Sequence, residues 1–266
     1  MTLEGDALNE DARGLVSPSF QVLGVSVNAL QTADVLQIMR RWIAERGAFK
    51  FIAVTGFHGV TEAQRDPSCK HALDAAALVV PDGMPLVWLG RSDGFDLPRR
   101  VYGPELLQSF CRETGDGFSH FFFGGAPGVP ERLSRILRDR YGIQVAGTLS
   151  PPFHPVSQDE DEALVERINA ARPDVLWVGL STPKQERWMN DHRDVLDVPV
   201  AVGVGAAFDF VSGTKRSAPT WMQERGLEWL FRLVNEPRRL WRRYLIGGAR
   251  FIYWVSLERL GLKDFG

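Results

Sequence analysis

The sequence predicts an α/β fold in which a mainly parallel sheet is flanked by helices and followed by a C-terminal helical appendage. Three observations predict it. From Phe20 onward, short β-branched or aromatic runs alternate with longer stretches of helical spacing. Small or polar clusters follow almost every apolar run, as they do where parallel strands end at a ligand crevice. The 266 residues, 44% of them hydrophobic, suffice for one large domain or two small ones with a sizeable core.

The elements follow in order along the chain. The predicted strands are Val22–Val27, Phe49–Thr55, Leu78–Pro81, His120–Gly124, Gln144–Gly147, Val175–Gly179 and Val198–Gly203. The predicted helices between them are Asp34–Glu45, Pro130–Tyr141, Asp159–Ala171 and Pro183–His192. Pro237 predicts a break after Asn235-Glu236, which leaves two short amphipathic pieces in the C-terminal segment.

The charge is distributed unevenly. The formal net charge is −2, but the residues from Trp221 to the end carry nine basic and five acidic side chains, which leaves −6 on the first 220 residues. This composition predicts three parts: a disordered leader at 1–18 without signal-peptide character, an α/β domain at 19–213 and a basic appendage at 214–266.

Several classes of protein are excluded or disfavoured by what the chain lacks. No run approaches the about 18 consecutive apolar residues of a spanning helix. The chain as a whole lacks the basic excess of a nucleic-acid wrapper. Cys69 and Cys111 are isolated from each other, which indicates two reduced packing residues in a cytosolic protein. The five histidines show no metal-ligand spacing, so we predict no metal.

Asp82 is the first candidate for chemistry. Pro81-Asp82-Gly83 follows a buried-looking strand and precedes an apolar helical stretch. A partly desolvated carboxylate there can act as a general base or bind a ribose. The alternative, which the position alone leaves open, is a helix N-cap.

The glycine-rich turn after the strand at His120 is the second candidate. The strand runs into a turn containing Gly124, Gly125 and Gly128 and then into a helix, so backbone N–H groups there can approach a phosphate. The turn matches neither GxGxxG nor a P-loop, and an ordinary turn remains the alternative.

Two further loops carry polar side chains after predicted strands. Lys184 and Gln185 would lie at the crevice and contact a diphosphate or a sugar hydroxyl, although helix capping explains the neighbouring Pro183 and Glu186. Asp209 can bind a ribose or a base edge, or close a turn. His58 is the only histidine near the expected crevice, and a structural role is the favoured interpretation of it.

The arginine and aromatic side chains of the appendage leave three interpretations open. They form a solvated helical face, a nucleic-acid patch, or an amphipathic element on an anionic membrane. Tryptophan and tyrosine beside arginine favour the membrane interface.

Taken together, these motifs resemble one family. Six segments of the chain lie in one order along the sequence: the Leu78–Gly83 segment, the Arg100–Leu106 stretch, the Phe-Phe-Gly-Gly turn, the Gly-Leu-Ser-Thr-Pro-Lys-Gln-Glu loop, the Gly-Val-Gly-Ala-Ala-Phe-Asp loop and the Leu-Glu-Trp-Leu-Phe-Arg-Leu…Glu-Pro-Arg-Arg segment. Their order and approximate spacing resemble those of the WecG/TagA/CpsF glycosyltransferases. The resemblance spans about Val22 to Phe251.

The resemblance implies a Rossmann-like catalytic domain and an appendage that completes the active site and holds the enzyme at the membrane. It implies an inverting, metal-independent transfer from a UDP-sugar to a polyprenyl-diphosphate-linked saccharide during surface polysaccharide assembly, without a cofactor. The partners implied are the donor, the lipid-linked acceptor and an anionic membrane surface, with no nucleic acid. The location implied is cytoplasmic, peripheral on the inner face of the cell membrane. Homo-oligomerisation is left open.

The resemblance also assigns roles to residues. Asp82 matches the family's base. The matching catalytic arginines, which would face the diphosphate, are Arg232, Arg239 and Arg242. The expected substrate-binding positions are Thr55, His58, Arg100, Gly103, Gly124, Gly125, Lys184, Gln185, Gly205 and Asp209.

The sequence departs from the family pattern in three places. The loop Thr55–Gly59 lacks the usual Asn, Glu105 replaces a common Asp, and Gly247-Gly-Ala replaces Gly-Asn-Pro. The sequence does not identify the donor sugar.

Two rival functions are weighed against the transferase. A nicotinamide-dependent oxidoreductase is suggested only by an α/β sheet with glycine-rich loops, and GxGxxG is missing. A membrane-recruited protein that binds a nucleotide sugar or lipid without turnover is the other alternative.

Overall fold

The structure is a computed structural model that describes residues 8–10, 16–152, 154 and 157–265. Its strands are β1 (Leu8–Glu10), β2 (Val16–Val22), β3 (Val25–Asn28), β4 (Lys50–Thr55), β5 (Leu78–Pro81), β6 (Ser119–Gly124), β7 (Gln144–Leu149), β8 (Val175–Gly179) and β9 (Val200–Gly203). Its α-helices are α1 (Thr32–Glu45), α2 (Phe57–Ala63), α3 (Pro67–Ala75), α4 (Met84–Ser92), α5 (Gly103–Thr114), α6 (Val129–Tyr141), α7 (Gln158–Ala170), α8 (Lys184–Asp191), α9 (Ala207–Val211), α10 (Thr220–Glu224), α11 (Glu228–Asn235), α12 (Pro237–Trp241) and α13 (Gly247–Arg259). A 3-10 helix spans Gly115–Gly117, and a π-helical turn spans Arg242–Ile246.

The chain forms two compact units. Unit 1 consists of residues 1–31, 55–101 and 217–266, and unit 2 of residues 32–54 and 102–216. This division differs from the boundaries expected at 18/19 and 213/214, because the C-terminal helices share a unit with residues 55–101. Of the expected leader at 1–18, residues 8–10 and 16–18 lie in β1 and β2, and the remainder lies outside the described residues.

Unit 2 contains a parallel sheet. Its strands pair in the order β4, β9, β8, β6, β7, and every pair is parallel. Residues Val175–Val178 of β8 are all buried, as expected for a central parallel strand covered by helices on both faces. The predicted α/β class, a mainly parallel sheet flanked by helices, is confirmed.

The helices of unit 2 follow the predicted apolar spacing. On α1, Val35, Met39 and Trp42 are buried along one stripe. A capping box between Ser157 and Glu160 starts α7. The four predicted helices are present, with their ends shifted by one or two residues.

Unit 1 begins with antiparallel strands, which corrects one prediction. The sequence predicts a single strand over Val22–Val27, whereas β2 and β3 form a hairpin that turns at Leu23-Gly24. Both turn residues have a positive φ, 49° and 66°, the backbone that a tight two-residue hairpin requires. The sequence does not indicate this turn, because Leu23 is bulky and a bulky residue rarely adopts a positive φ.

The remainder of unit 1 includes β5 and the C-terminal helices. All four residues of β5 are buried. The break predicted at Pro237 is confirmed, since α11 ends at Asn235 and α12 begins at Pro237. Cys69 of unit 1 and Cys111 of unit 2 are buried free thiols, as predicted. Within the described ranges, no helix is both long and apolar enough to cross a membrane.

Candidate active site

Several of the predicted site residues line one cavity in unit 1. It is lined by the loop after β4, the start of α4, Arg100, the start of α11 and the π-helical turn. Asp82, His58, Arg100 and Arg232, all predicted from the sequence, are among the lining residues. The cavity holds about 100 Å³, below the range typical of whole-ligand pockets, so it accommodates only part of a nucleotide sugar.

Asp82 is placed by the end of β5. Its N–H donates a 2.8 Å hydrogen bond to the carbonyl oxygen of Thr55, which joins the loops after β4 and β5. The N-cap of α4 is Gly83, which makes no side-chain cap bond. The carboxylate of the half-buried Asp82 is therefore not the helix cap that the sequence left as an alternative.

Glu228 connects two arginines of the cavity. Nη2 of Arg100 donates a hydrogen bond to Oε2 of Glu228. Nη1 of Arg232 lies 4.0 Å from Oε1 of the same carboxylate. All three side chains are largely buried, so one acid accepts a hydrogen bond from Arg100 and lies within ion-pair distance of Arg232.

Arg243 is the third cation of the cavity. Its guanidinium lies 5.9 Å from the ring centre of Tyr244, and its buried Nε has no hydrogen-bond partner among the residues described. Burial lowers the pKa of Arg243, and the positive charge of Arg232 lowers it further, while Tyr244 and the Asp82 carboxylate act in the opposite direction. An arginine stays protonated under these influences, so the cavity keeps its positive charge.

His58 contributes a neutral ring. Burial, together with the charges of Arg243 and Arg65, lowers the pKa of His58 to about 3. The imidazole is therefore uncharged at neutral pH. It can offer one hydrogen-bond donor and one acceptor, but no counter-charge for a phosphate.

Two predicted arginines lie elsewhere in unit 1. Arg239 is exposed, and its Nε lies 2.6 Å from Oε2 of Glu236. Arg242 is exposed over the ring of Trp241, with 5.3 Å to the ring centre. Neither residue lines the cavity, where the neighbouring Arg243 points instead.

Thr55 is the last residue of β4. It is buried, and its Oγ1 lacks a hydrogen-bond partner in the part of the chain that the structure describes. It does not line the cavity, although its backbone carbonyl holds Asp82.

The glycines predicted in unit 2 lie where backbones approach closely. A Cβ on Gly124 would lie 2.6 Å from the carbonyl carbon of Gly179, and Gly125 donates 3.0 Å to the oxygen of that residue. A Cβ on Gly103 would lie 3.1 Å from the carbonyl oxygen of Val204. Packing between strands and loops accounts for these glycines without a ligand.

The polar residues predicted in unit 2 have different environments. Gln185 is buried, and its Oε1 accepts a hydrogen bond from the N–H of Gly205. Asp209 pairs with Lys215, with 2.8 Å between Oδ2 and Nζ. Lys184 is exposed at the start of α8.

Four lining residues with polar or charged side-chain atoms are not among the site residues predicted from the sequence. They are Glu228, Trp229, Arg243 and Tyr244. One signal was present: Glu228 stands four residues before Arg232, a helical spacing that predicts an acid beside that arginine. Among the described residues, no group of three or more His, Cys, Asp or Glu side chains is arranged to hold a metal.

Comparison with known proteins identifies the class of enzyme. The model of the WecG/TagA/CpsF glycosyl transferase family matches residues 20–264, which include the Asp82 loop and the C-terminal helices. The chain belongs to the WecG/TagA/CpsF family of glycosyltransferases.

A curated relative supports the assignment. The N-acetylglucosaminyldiphosphoundecaprenol N-acetyl-beta-D-mannosaminyltransferase of Bacillus spizizenii is 32% identical over 186 residues, which cover 69% of this chain and 70% of that protein. The protein is therefore a glycosyltransferase and not the nicotinamide-dependent oxidoreductase that was the main rival.

Proposed function

We propose that this glycosyltransferase moves a sugar from a UDP-sugar to a polyprenyl-diphosphate-linked saccharide in bacterial cell-envelope synthesis, with inversion and without a metal. One observation carries the proposal: within unit 1, the Asp82 carboxylate shares a cavity with the guanidinium groups of Arg100, Arg232 and Arg243. A base and a set of fixed cations are what such a transfer needs.

Asp82 is the proposed general base. As the acceptor hydroxyl oxygen attacks the anomeric carbon of the donor, its proton passes to the Asp82 carboxylate. The bond from that carbon to the phosphate oxygen breaks at the same time, and UDP leaves with the electron pair. Attack from the side opposite the leaving group inverts the anomeric configuration. A carboxylate that lines the cavity can take this proton directly from an acceptor hydroxyl within hydrogen-bond distance.

The arginines are the proposed counter-charge for the departing diphosphate. Charge-assisted hydrogen bonds from guanidinium groups to phosphate oxygens are short and strong, and they require no metal. Arg100, Arg232 and Arg243 supply these groups inside the cavity. Arg239 and Arg242 remain proposed diphosphate ligands at the surface of the same unit, and Lys184, Gln185, Gly205 and Asp209 remain proposed donor or acceptor contacts.

The relative suggests which substrates to try first. Its name specifies transfer of N-acetylmannosamine to N-acetylglucosaminyldiphosphoundecaprenol. We propose the corresponding UDP-N-acetylmannosamine and lipid acceptor as the first pair for this chain. Glucosyl, mannosyl and uronic-acid donors complete the panel, because the altered loop at Thr55–Gly59 and Glu105 bear on donor choice.

The appendage is the proposed membrane contact, on the inner face of the cell membrane. Three arginines of the C-terminal segment lie over tryptophan rings: Arg225 over Trp221, Arg242 over Trp241, and Arg250 over Trp254. Trp221, Trp241, Ile252 and Tyr253 are exposed. Aromatic rings beside arginines suit the headgroup region of an anionic membrane, and a lipid-linked acceptor is presented there.

The transfer is tested by measuring UDP release from the donor panel with a short-chain lipid-diphosphate acceptor. We expect release only when both substrates are supplied, an unchanged rate in EDTA, and a product whose anomeric coupling shows inversion. Binding of UDP-sugar and acceptor without any product would instead favour the non-catalytic rival. Loss of turnover in EDTA that Mg²⁺ restores would contradict the proposed mechanism.

The membrane contact is tested by sedimentation with phosphatidylglycerol vesicles. We expect the variant Trp241→Ser/Ile252→Ser to bind these vesicles less than wild type. The control Val195→Ser removes an exposed apolar side chain from unit 2 and should bind as wild type does. Equal binding by all three proteins would remove the proposed role of the appendage.

A further inference from the structure

Glu228 is a buried acid that the proposed chemistry does not use. The residue as a whole is 7% exposed, and it is the first residue of α11. An acid in a first helical turn interacts favourably with the helix dipole, but the dipole alone does not require burial. The contacts of its two carboxylate oxygens provide a more specific explanation.

Each oxygen of Glu228 faces a different arginine. Oε2 accepts a hydrogen bond from Arg100, which lies 128 positions earlier in the chain. Oε1 faces Arg232, one helical turn further along α11. The three side chains are only 9 to 15% exposed, so water screens these charges weakly.

Two guanidinium groups in one small cavity repel each other, and each ends a long side chain with many rotamers. A carboxylate between them offsets the repulsion and selects one orientation for both. Because Glu228 is occupied by Arg100 and Arg232, it is unsuited to accept a proton from the acceptor. Asp82 and Glu228 together carry two negative charges against three arginines, and His58 is neutral, so the cavity still attracts an anion.

We propose that Glu228 is a positioning residue of the transfer reaction. It holds Arg100 and Arg232 in the orientation in which they meet the charge that develops on the departing diphosphate, and it does not touch substrate itself. This inference rests on the proposed function and deepens it, since it states how the counter-charge is kept in place.

Loss of the Glu228 carboxylate should affect UDP binding and the turnover number differently. In Glu228→Gln the cavity becomes more positive, so UDP should bind at least as tightly as in wild type. The released arginines no longer meet the transition state correctly, and misplacement on the scale of 1 Å is enough for a fall in kcat of about 100-fold. If Glu228 only stabilised the local fold, its replacement would weaken UDP binding and turnover together.

The experiment measures kcat, UDP affinity and thermal melting in the full-length protein. Trp229 lines the cavity and is a natural fluorescence probe for the UDP titration. The matched control is Glu224→Gln, which changes an exposed acid of the preceding helix in the same way. We expect Glu228→Gln to lose kcat and to retain UDP binding, while Glu224→Gln behaves as wild type. Wild-type kcat in Glu228→Gln, or UDP binding lost in proportion to kcat, would overturn the proposal.

A double-mutant cycle adds a second criterion. If Glu228 acts through the arginines, Glu228→Gln should cost little more kcat in an Arg100→Gln background than Arg100→Gln costs alone. Fully additive losses would contradict the proposal.

Glu228→Asp keeps the negative charge and shortens the side chain by one methylene. This variant tests whether Glu228 positions the arginines if Glu228→Gln fails to fold. Reduced kcat with UDP affinity retained supports positioning, and a wild-type kcat contradicts it. Absence of turnover by the wild-type enzyme with every donor and acceptor would refute the proposed function itself.

Discussion

The side-chain oxygen of Gln185 accepts a 2.9 Å hydrogen bond from the backbone N–H of Gly205. Nε2 of the same amide donates to Oε1 of Glu186 at 3.1 Å. The side chain is 1% exposed and packs against Gly203, where an added Cβ would lie 2.9 Å from it. The amide thus braces the loop after β9.

Replacing Gln185 by Leu should destabilise the protein by about 1–3 kcal/mol, because the N–H of Gly205 loses its acceptor. Urea denaturation measures the loss. Gln158→Leu, on the exposed face of α7, is the matched control and should change stability by less than about 0.5 kcal/mol. A Gln185→Leu protein as stable as wild type would show that the brace is dispensable.

Gly124 and Gly128 should respond very differently to alanine. Both have a positive φ, 122° and 86°. A Cβ on Gly124 would collide with the backbone of Gly179, its partner in β8, whereas a Cβ on Gly128 meets nothing within 4 Å. We expect Gly128→Ala to cost about 1–2 kcal/mol from backbone strain. Gly124→Ala should cost more than about 4 kcal/mol, because paired strands cannot separate locally. Equal losses in chemical denaturation would be inconsistent with the close strand approach.

His58 should make the protein less stable in acid. Burial lowers the pKa of folded His58 to about 3, whereas the unfolded chain binds the proton near 6.5. Its contribution to stability is therefore complete above pH 6.5 and is lost progressively as the pH falls toward 3. Between pH 7 and pH 5, wild type should lose about 2 kcal/mol more than His58→Gln. Urea midpoints at the two pH values test this, and parallel losses in both proteins would argue against a buried neutral imidazole.

Much of the fold could be predicted from local pattern. The parallel strands of unit 2 are continuous apolar runs that end in small or polar residues, and this pattern can be recognised in one sequence without comparison to others. The hairpin at Leu23-Gly24 could not be predicted, because apolar residues flank the turn on both sides and a leucine rarely adopts the positive φ that Leu23 has there.

The site was predictable in part, from positions after predicted strands for Asp82 and His58, and from the family resemblance for Arg100 and Arg232. Asp82, His58, Arg100 and Arg232 were singled out and do share one cavity. The presence of Arg243 there, instead of Arg242, depends on the π-helical turn Arg242–Ile246, which changes the helical phase that a regular α-helix would keep. The role of Glu228 requires Arg100, which no local spacing brings near it.

The most direct test of the proposed mechanism is the turnover of Asp82→Asn. The variant keeps the shape of the side chain and removes its capacity to accept a proton. With UDP-sugar and a lipid-diphosphate acceptor, we expect kcat to fall by about 10²–10⁴-fold, while the melting temperature stays as in wild type and UDP binds at least as tightly. Asp96→Asn, at an exposed position of the same unit, should keep full activity. A wild-type kcat in Asp82→Asn would contradict the assignment of Asp82 as the base.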